Sequence, residues 1–372
     1  MRKTGAVACT VVVGLLLSVG VAKAADIWGL KVGTPNLKSV GPLAFGPDGI
    51  LLVGDTKAAA VFAIATGDTS GAPAKVQLNI DDLNGKVADL LGASPQDIQI
   101  KDMAVNPLSG NLYLSLSKKQ GPAEAPALLR IDATGKLSEV SLKKVGFSSV
   151  TLPNPVEDKV TGEGRRRRNR RDESITDLAF AEGKVLLSGL TNEASPSNVR
   201  EIPFPFIAAD PGINIEIYHG AHGRYEDDAV VRTFVPFNIG GEPNLLAGFT
   251  CTPLVKFPLA SLSAGKKTRG TTVAELGNRN RPLDMIVYKK GGKNFLLTAN
   301  SSRGVMKIST EKIERQEGIT KRIGGGGTAG QSFETIEELK GVVQLDRLND
   351  QNAVILVQTD SGSQDLRTVA LP

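Results

Sequence analysis

The sequence predicts an all-β fold, specifically a six-bladed β-propeller made of four-stranded antiparallel blades. One unit recurs along the chain: an apolar strand, a Gly-rich or polar turn, a second apolar strand, a polar tip and a third strand. The apolar runs have strand length and are bounded by turn residues. Several copies are followed by a fourth strand. Four-stranded units in series are typical of a propeller.

Six copies of the unit are found. Four clear copies begin at Val40, Ile100, Ile175 and Pro282, and two weaker copies span 244–257 and 353–371. Segments 75–80, 213–218 and 271–276 supply fourth strands to three of them. The last copy has no obvious fourth strand, so the N-terminal segment "DIWGLKV" (26–32) is predicted to close the ring. Seven blades with one degraded copy, or an irregular β-sandwich, are the alternatives.

Helical signals are few. Segment 81–92 ("DDLNGKVADLLG") and segment 333–341 ("FETIEELKG") are each predicted to form a short helix. Insertions around 81–99, 153–174 and 311–335 account for a spacing of about sixty residues, which exceeds the roughly 40–45 residues of compact blades.

The N-terminal 24 residues have the pattern of a signal peptide. Arg2 and Lys3 precede an uncharged apolar run, and Ala22-Lys23-Ala24 fits the small-x-small cleavage rule. We therefore expect a single propeller domain over 25–372 that is soluble and periplasmic or secreted, with no later transmembrane segment. Cys251 is the one cysteine of that domain, so no internal disulfide can form.

The positive charge of the chain is local. Without the signal, 41 basic residues stand against 39 acidic ones, and six of the basic residues form the run Arg165–Arg171 inside the insertion at about 153–174. The rest of the domain is slightly acidic, which excludes a nucleic-acid protein with a basic face. We expect a solvated, flexible insertion, because blocks of like charge are usually disordered. An anionic envelope surface or a processing protease are the alternative partners of this run.

Strand direction alternates within a blade, so certain connections share one face. The starts of inner strands, the tips between second and third strands, and the links between blades should all lie near one mouth of the tunnel. This top face is the predicted binding face, since binding residues usually sit on loops held by a rigid scaffold. Its candidate residues are Asp102, Asp177, Asp284, Asn192, Cys251, Asn300 and Arg303.

Each candidate has a structural alternative. The three aspartates could bind a cation or a basic ligand, or could accept backbone N–H groups and fix the blade. Cys251 could be a nucleophile if a histidine approaches it, or a small buried thiol. Asn300 and Arg303 could hold an anionic or carbonyl ligand, or could serve only as turn residues.

The segment "YHGAHGRYEDD" (218–228) holds both histidines of the chain. We predict that one divalent metal ion binds as a cofactor to His219, His222 and Glu226, with an open coordination position for water. Gly220 and Gly223 disfavour a helix, so a loop must bring the three together. The alternatives are a Gly-rich connection with exposed histidines, or a histidine acting as a general base beside an aspartate.

The repeats resemble the β-propeller superfamily, and in blade style the six-bladed lactonase-like and NHL-like propellers. The lactonase-like resemblance implies a tunnel metal held by a glutamate on the first inner strand, but Val40 and Gly41 stand at that position. The lactonase metal ligands are therefore not assigned to this chain. The predicted function is binding of a small molecule or protein partner on the top face. The alternative is a metal-dependent hydrolase or lyase with its site at the tunnel mouth.

Overall fold

The structure, a computed structural model, describes residues 27–121, 123–164, 167–262, 267–315 and 317–372. The predicted signal peptide (1–24) and two residues of the arginine run, Arg165 and Arg166, lie outside the described residues. Within these ranges, no helix has the length and apolar character of a membrane span.

Six sheets surround a central tunnel, which confirms the six-bladed propeller and excludes the seven-bladed and sandwich alternatives. Blades are numbered here by the order of their inner strands in the chain. From the tunnel outward, blade 1 contains Leu43–Phe45, Ile50–Asp55, Ala60–Ala65, Val145–Thr151 and Lys31–Gly33. Blade 2 contains Ile98–Val105, Leu112–Gln120, Ala123–Ile131 and Leu137–Glu139. Blade 3 contains Asp177–Ala181, Lys184–Leu190, Ser197–Pro203, Ile213–His219 and Arg224–Glu226. Blade 4 contains Val231–Ile239, Glu242–Phe249, Pro253–Pro258, Thr271–Glu275 and Ala329–Gly330; blade 5 contains Pro282–Lys290, Lys293–Asn300, Val305–Ser309 and Phe333–Ile336; blade 6 contains Val342–Arg347, Asn352–Gln358, Gln364–Ala370 and Asn79–Ile80.

The remaining elements are short. Strand Thr268–Arg269 pairs in parallel with the fourth strand of blade 3, and Val160–Thr161 pairs with Arg168–Asn169. The helix Leu83–Leu91 begins after Asp82, whose side chain accepts a hydrogen bond from the Gly85 N–H. The 3-10 helices are Pro47–Gly49, Pro73–Lys75, Pro95–Asp97, Arg170–Glu173, Leu259–Ser261 and Glu337–Leu339.

The core lies between neighbouring blades. The second strand of blade 1, Ile50–Asp55, is buried along its whole length because other blades cover both of its faces. Such strands are continuous apolar runs rather than alternating ones, which is the pattern that the repeats show. One apolar cluster joins Ile217 of blade 3 to Phe249 of blade 4, and another joins Leu112 of blade 2 to Val354 of blade 6.

The order of the blades around the ring differs from their order in the sequence. Inner strands contact one another in the order blade 2, blade 1, blade 3, blade 4, blade 5, blade 6 and back to blade 2. Blades 1 and 2 are thus exchanged relative to a sequential ring. After the third strand of blade 1, the chain runs past blade 2, and Asn79–Ile80 then pairs with the third strand of blade 6. After blade 2 is complete, the chain returns as Val145–Thr151 to finish blade 1.

Two expectations about the edges are corrected. A strand from the first quarter of the chain does close the ring, but it is Asn79–Ile80 on blade 6 rather than segment 26–32. Lys31–Gly33 instead pairs with Val145–Thr151 as a fifth strand of blade 1, and segment 75–80 is not the fourth strand of its own unit. The exchange of blades 1 and 2 moves both segments, and no local pattern encodes it.

One predicted helix is confirmed and one is wrong. Leu83–Leu91 is helical, within the predicted segment 81–92. Segment 333–341 instead supplies the fourth strand of blade 5, Phe333–Ile336, followed by one 3-10 turn. The exposed edge of Val305–Ser309 needs a partner strand, and this tertiary pairing outweighs the local helix propensity.

The crossing past blade 2 is anchored by Asp68. Its Oδ2 accepts hydrogen bonds from Ser109 Oγ at 2.8 Å, Asn111 Nδ2 at 3.0 Å and Tyr113 Oη at 3.1 Å. Asn106 Nδ2 donates to the Asp68 carbonyl oxygen at 2.7 Å. The buried Asp68 carboxylate thus ties the connecting segment to a turn of the blade that it bypasses.

We predict that Asp68→Ala lowers the free energy of unfolding by about 3 kcal/mol, because the buried donors Ser109 and Tyr113 and the half-buried Asn111 lose their shared acceptor. Denaturant titration monitored by circular dichroism measures the change, with Asp89→Ala on the exposed face of the helix as the control. Equal stability of the two variants would contradict this anchoring role.

Candidate functional site

The top face carries a cavity of about 630 Å³ at the tunnel mouth. Its charged lining residues come from several blades and from the insertion: Lys38, Lys57, Lys101, Glu124, Asp172, Glu173 and Arg232. Register shifts just before Asp102 and Thr233 mark β-bulges at the mouth, and such bulges re-aim the neighbouring side chains Lys101 and Arg232. Asp102, Asp177 and Asp284 line the floor of the cavity.

These three aspartates tie neighbouring inner strands together. Asp102 Oδ2 accepts the Leu43 N–H at 2.7 Å, Asp177 Oδ2 accepts the Phe234 N–H at 2.7 Å, and Asp284 Oδ2 accepts the Leu345 N–H at 2.9 Å. Asp177 and Asp284 also accept the N–H of the residue that follows each of them. These hydrogen bonds agree with the alternative that the three aspartates accept backbone N–H groups and fix the blade. Each aspartate, however, fixes the adjacent blade as well as its own.

The carboxyls also share one enclosed space. Burial raises the pKa of Asp102 to about 8 and that of Asp177 to about 7, and mutual repulsion with Asp102 adds to the effect of burial on the pKa of Asp284. Neutral carboxyls therefore become favourable near neutral pH. In blade 1, Pro42 occupies the equivalent position before Leu43, so the first inner strand adds no carboxylate there. The described tunnel residues thus do not reproduce the lactonase-like ligand pattern.

His219 and Glu226 are brought together by a β-hairpin. The fourth strand of blade 3 ends at His219, a tight turn follows, and Arg224–Glu226 returns antiparallel to it. His219 pairs with Arg224, and Tyr218 pairs with Tyr225. Because side chains alternate across a strand, His219, Arg224 and Glu226 share one face of the hairpin, while the two tyrosines share the other. The expectation that a non-helical connection joins the predicted ligands is confirmed.

One carboxylate orients both histidines. Glu226 Oε2 lies 2.6 Å from His219 Nδ1, and Glu226 Oε1 lies 2.7 Å from His222 Nδ1 and 2.9 Å from Arg224 Nε. A carboxylate only accepts hydrogen bonds, so each ring donates from Nδ1, and in the neutral imidazole the lone pair is then on Nε2. The Nε2 of His219 is buried and has no partner among the described residues.

The protonation states agree with this arrangement. Burial lowers the pKa of His219, although the hydrogen bond with Glu226 opposes the shift. Burial alone would raise the pKa of Glu226, but hydrogen bonds from His219, Arg224 and His222 outweigh it and lower that pKa. A neutral imidazole oriented by an ionised carboxylate is the usual arrangement around a histidine that binds a metal.

Cys251 approaches the histidines from blade 4. One ring nitrogen of His219, one of His222 and the Cys251 sulfur all lie within 4.8 Å of one another. Cys251 sits at the tip between the second and third strands, where its N–H donates to the Asn280 carbonyl at 2.8 Å. Cys251 and Thr252 both adopt left-handed backbone conformations, with φ of 65° and 60°. Such strain in two consecutive non-glycine residues is typical of functional sites.

Glu275 of blade 4 borders the hairpin. Its Oε1 accepts the Gly220 N–H, and its Oε2 is buried with no partner among the described residues. Burial raises the pKa of Glu275 to about 7, although hydrogen bonds from the Gly220 and Ala221 N–H groups oppose the shift. Glu275 was not identified from the sequence, because it occurs at the end of an ordinary fourth strand and carries no motif.

The structure therefore brings together part of the predicted set. His219, His222, Glu226 and Cys251 form one cluster between the outer strands of blade 3 and the tip of blade 4. The three aspartates are not part of it, since they belong to the tunnel wall. Asn192 lies exposed at a blade tip on the top face. Asn300 is buried and bonds to the Thr298 and Gly304 carbonyls, as expected of a turn residue.

The described part of the basic insertion is ordered against the top face. Arg171 donates to the carbonyls of Thr56, Lys57 and Val156. The next residues, Asp172 and Glu173, form part of the cavity wall. The expectation of a solvated, flexible insertion is therefore wrong for Arg170 and Arg171, because Glu173 and the backbone carbonyls give these two arginines specific partners. Arg167 and Arg168 are exposed, as expected.

No protein-family model matches the chain, and no curated protein matches its sequence. Among solved structures, the chain is similar to a putative oxidoreductase (glucose dehydrogenase) from Thermus thermophilus, with 12% identity and a TM-score of 0.35, over 92% of this chain and 100% of that one. It is similar to a putative gluconolactonase at 11% identity and a TM-score of 0.29, over 93% of this chain and 96% of that one. A hypothetical protein from Leishmania major gives 8% identity and a TM-score of 0.38, over 74% and 86% of the two chains.

We predict that the stability of the protein falls as pH rises from 5 to 8. The carboxyls of Asp102 and Asp177 have raised pKa values in the folded state, so their contribution is complete below about pH 4 and is lost as pH rises through about 7 to 8. Asp177→Asn should reduce the fall by up to about 2.5 kcal/mol.

Denaturant titrations at pH 5 and pH 8 measure this difference. Asp132→Asn is the control, because Asp132 lies in an exposed loop and hydrogen bonds from Thr134 lower its pKa. A pH dependence that Asp177→Asn leaves unchanged would contradict the assignment of the slope to the tunnel carboxyls.

Proposed function

We propose that this propeller binds one transition-metal ion, zinc in the first instance, through His219, His222 and Cys251. The observation that carries the proposal is the Glu226 carboxylate, which bonds the Nδ1 atoms of both histidines and leaves both Nε2 atoms open. Two imidazoles and a thiolate suit zinc, with copper as the main competitor. The sequence-based ligand set thus changes in one member: Cys251 takes the place of Glu226, which becomes the residue that orients both ligands.

The distances are compatible with a metal centre. Tetrahedral zinc with bonds of about 2.0 Å to nitrogen and 2.3 Å to sulfur places its ligand atoms roughly 3.5 Å apart. One ring nitrogen of each histidine and the Cys251 sulfur lie within 4.8 Å of one another, so the three side chains would move closer together when they bind the ion. The strained tip that carries Cys251 and the glycines of the hairpin are the segments that would move.

Three protein ligands leave a coordination position for water or substrate. His219 is buried, whereas the His222 side chain is 45% exposed, so this position faces solvent on one side. An open position is typical of catalytic zinc, where the ion activates a bound water. The residues support a metal-dependent hydrolase or lyase whose site lies between blades 3 and 4, beside the tunnel mouth rather than in it. Glu275, which borders the histidine turn, is a second buried carboxyl that could accept a proton.

We predict one equivalent of metal in the untagged protein, measured by elemental analysis after dialysis against zinc. His219→Ala/His222→Ala and Cys251→Ser should each lose it, because too few ligands remain. Glu226→Gln should retain all three ligands and bind zinc about 10- to 100-fold more weakly. Metal uptake should also decrease as pH is lowered, since the ligands must lose protons. A wild-type protein that takes up neither zinc nor copper would refute the proposal.

A second candidate function is small-ligand binding in the 630 Å³ cavity at the tunnel mouth. Its size is in the range of small-molecule sites. Lysines and an arginine face acidic residues of the insertion there, so a zwitterionic ligand is favoured. This is the ligand-binding function that the sequence predicts for the top face. The signal-like N-terminus supports a periplasmic or secreted location for it.

We predict that a free amino acid or betaine from a panel of zwitterions raises the melting temperature of the protein. Lys101→Gln should abolish the shift, because Lys101 lines the cavity, whereas Lys86→Gln on the exposed helix should preserve it. If no zwitterion stabilises the wild-type protein, or if both variants respond alike, this candidate is wrong.

A further inference from the structure

A second cavity on the top face lies between blades 4 and 5 and has a volume of about 560 Å³. It is lined by Asn278, Arg279, Ser302, Arg303, Gly325 and Gly326. Three chain segments form it: the link between blades 4 and 5 (277–283), the tip between the second and third strands of blade 5 (300–304), and the glycine-rich part of the insertion (318–328). Neither the metal cluster nor the tunnel mouth includes these lining residues.

The charge around this cavity has a single sign. The three segments contain five basic residues, namely Arg279, Arg281, Arg303, Lys321 and Arg322, and no acidic residue. None of the five takes part in an ion pair in the part of the chain that the structure describes. Concentrated unpaired charge disfavours folding through repulsion, and an anionic ligand would offset that repulsion.

The backbone holds one of the two lining arginines, Arg303, and leaves the other, Arg279, exposed. Arg303 packs against Gly277, where a Cβ would lie 2.5 Å from the guanidinium carbon, and its Nη2 donates to the Asn278 carbonyl at 3.2 Å. Arg279 is exposed on a left-handed residue with φ of 58°. Gly325 and Gly326 are also left-handed, with φ of 67° and 78°, which lets the backbone approach closely.

We propose that this cavity is an anion site that binds the carboxylate or phosphate group of a small molecule through Arg279 and Arg303. Planar guanidinium groups match both oxyanions with paired hydrogen bonds, and the Ser302 hydroxyl adds a neutral donor. The sequence alone leaves open whether Arg303 holds an anion or only completes a turn, and the convergence of a second arginine favours the anion.

The anion site adjoins the metal cluster but does not depend on it. The Gly220 carbonyl in the histidine turn accepts the Ile323 N–H at 2.8 Å, and the Cys251 N–H donates to the Asn280 carbonyl. Gly326, three positions after Ile323, and Arg279, one position before Asn280, both line the anion site. Backbone hydrogen bonds between neighbouring segments therefore connect the anion site to the metal cluster.

Isothermal titration calorimetry with inorganic phosphate and with succinate, at low ionic strength, tests the site in chelator-treated protein. We expect single-site binding that Arg279→Gln and Arg303→Gln each weaken about tenfold or more. Arg279→Gln is the decisive variant, because the side chain is exposed and its loss does not disturb packing. Tighter binding of phosphate would identify a phosphoryl group, and tighter binding of succinate a carboxyl group.

Arg281→Gln is the matched control, since it removes the same charge from the same patch but does not line the cavity. It should change affinity by about twofold or less. Absence of binding by both probes, equal weakening by Arg281→Gln and Arg279→Gln, or binding of heparin alone would overturn the proposal. His219→Ala/His222→Ala should lose metal and keep phosphate or succinate binding, which separates a failure of this proposal from a failure of the metal site.

Discussion

The closed ring depends on buried carboxylates that cross from one inner strand to the next. Asp102, Asp177 and Asp284 each accept an N–H group of the adjacent blade, with O···N distances of 2.7 to 2.9 Å. These bonds fix the relative height of the blades at three of the six junctions, and therefore the positions of the tips and links beside those junctions. They carry an electrostatic cost, because the enclosed carboxyls have raised pKa values. The same aspartates that looked like ligands in the sequence thus hold the framework on which the sites are built.

The repeated strand pattern was sufficient to predict the blade number, because short apolar runs separated by turns constrain each sheet locally. Ring order was not predictable. Asn79–Ile80 pairs with blade 6 and Val145–Thr151 with blade 1, and these long-range pairings leave no periodic signal. Asp68, which anchors the crossing, is a single polar residue in a loop and looks ordinary without its three donors.

The candidate site was predictable in part. His219, His222 and Glu226 lie close together in the sequence, so a hairpin was enough to join them. The role of Glu226 depended on side-chain direction, which spacing alone could not give. Cys251 and Glu275 come from another blade, and only the packing of blades 3 and 4 brings them to the histidines. The metal cluster and the arginine cavity consequently occupy two neighbouring junctions on the same face, joined by the glycine-rich insertion.

The proposed metal site consists of one thiolate and two imidazoles, with both imidazoles oriented by Glu226. X-ray absorption spectroscopy of the zinc-loaded protein tests this set of ligands. We expect one sulfur at about 2.3 Å and two imidazole nitrogens at about 2.0 Å from the zinc ion. A coordination sphere made only of nitrogen and oxygen atoms would contradict the claim, because Cys251 would then not be a ligand and Glu226 could be one.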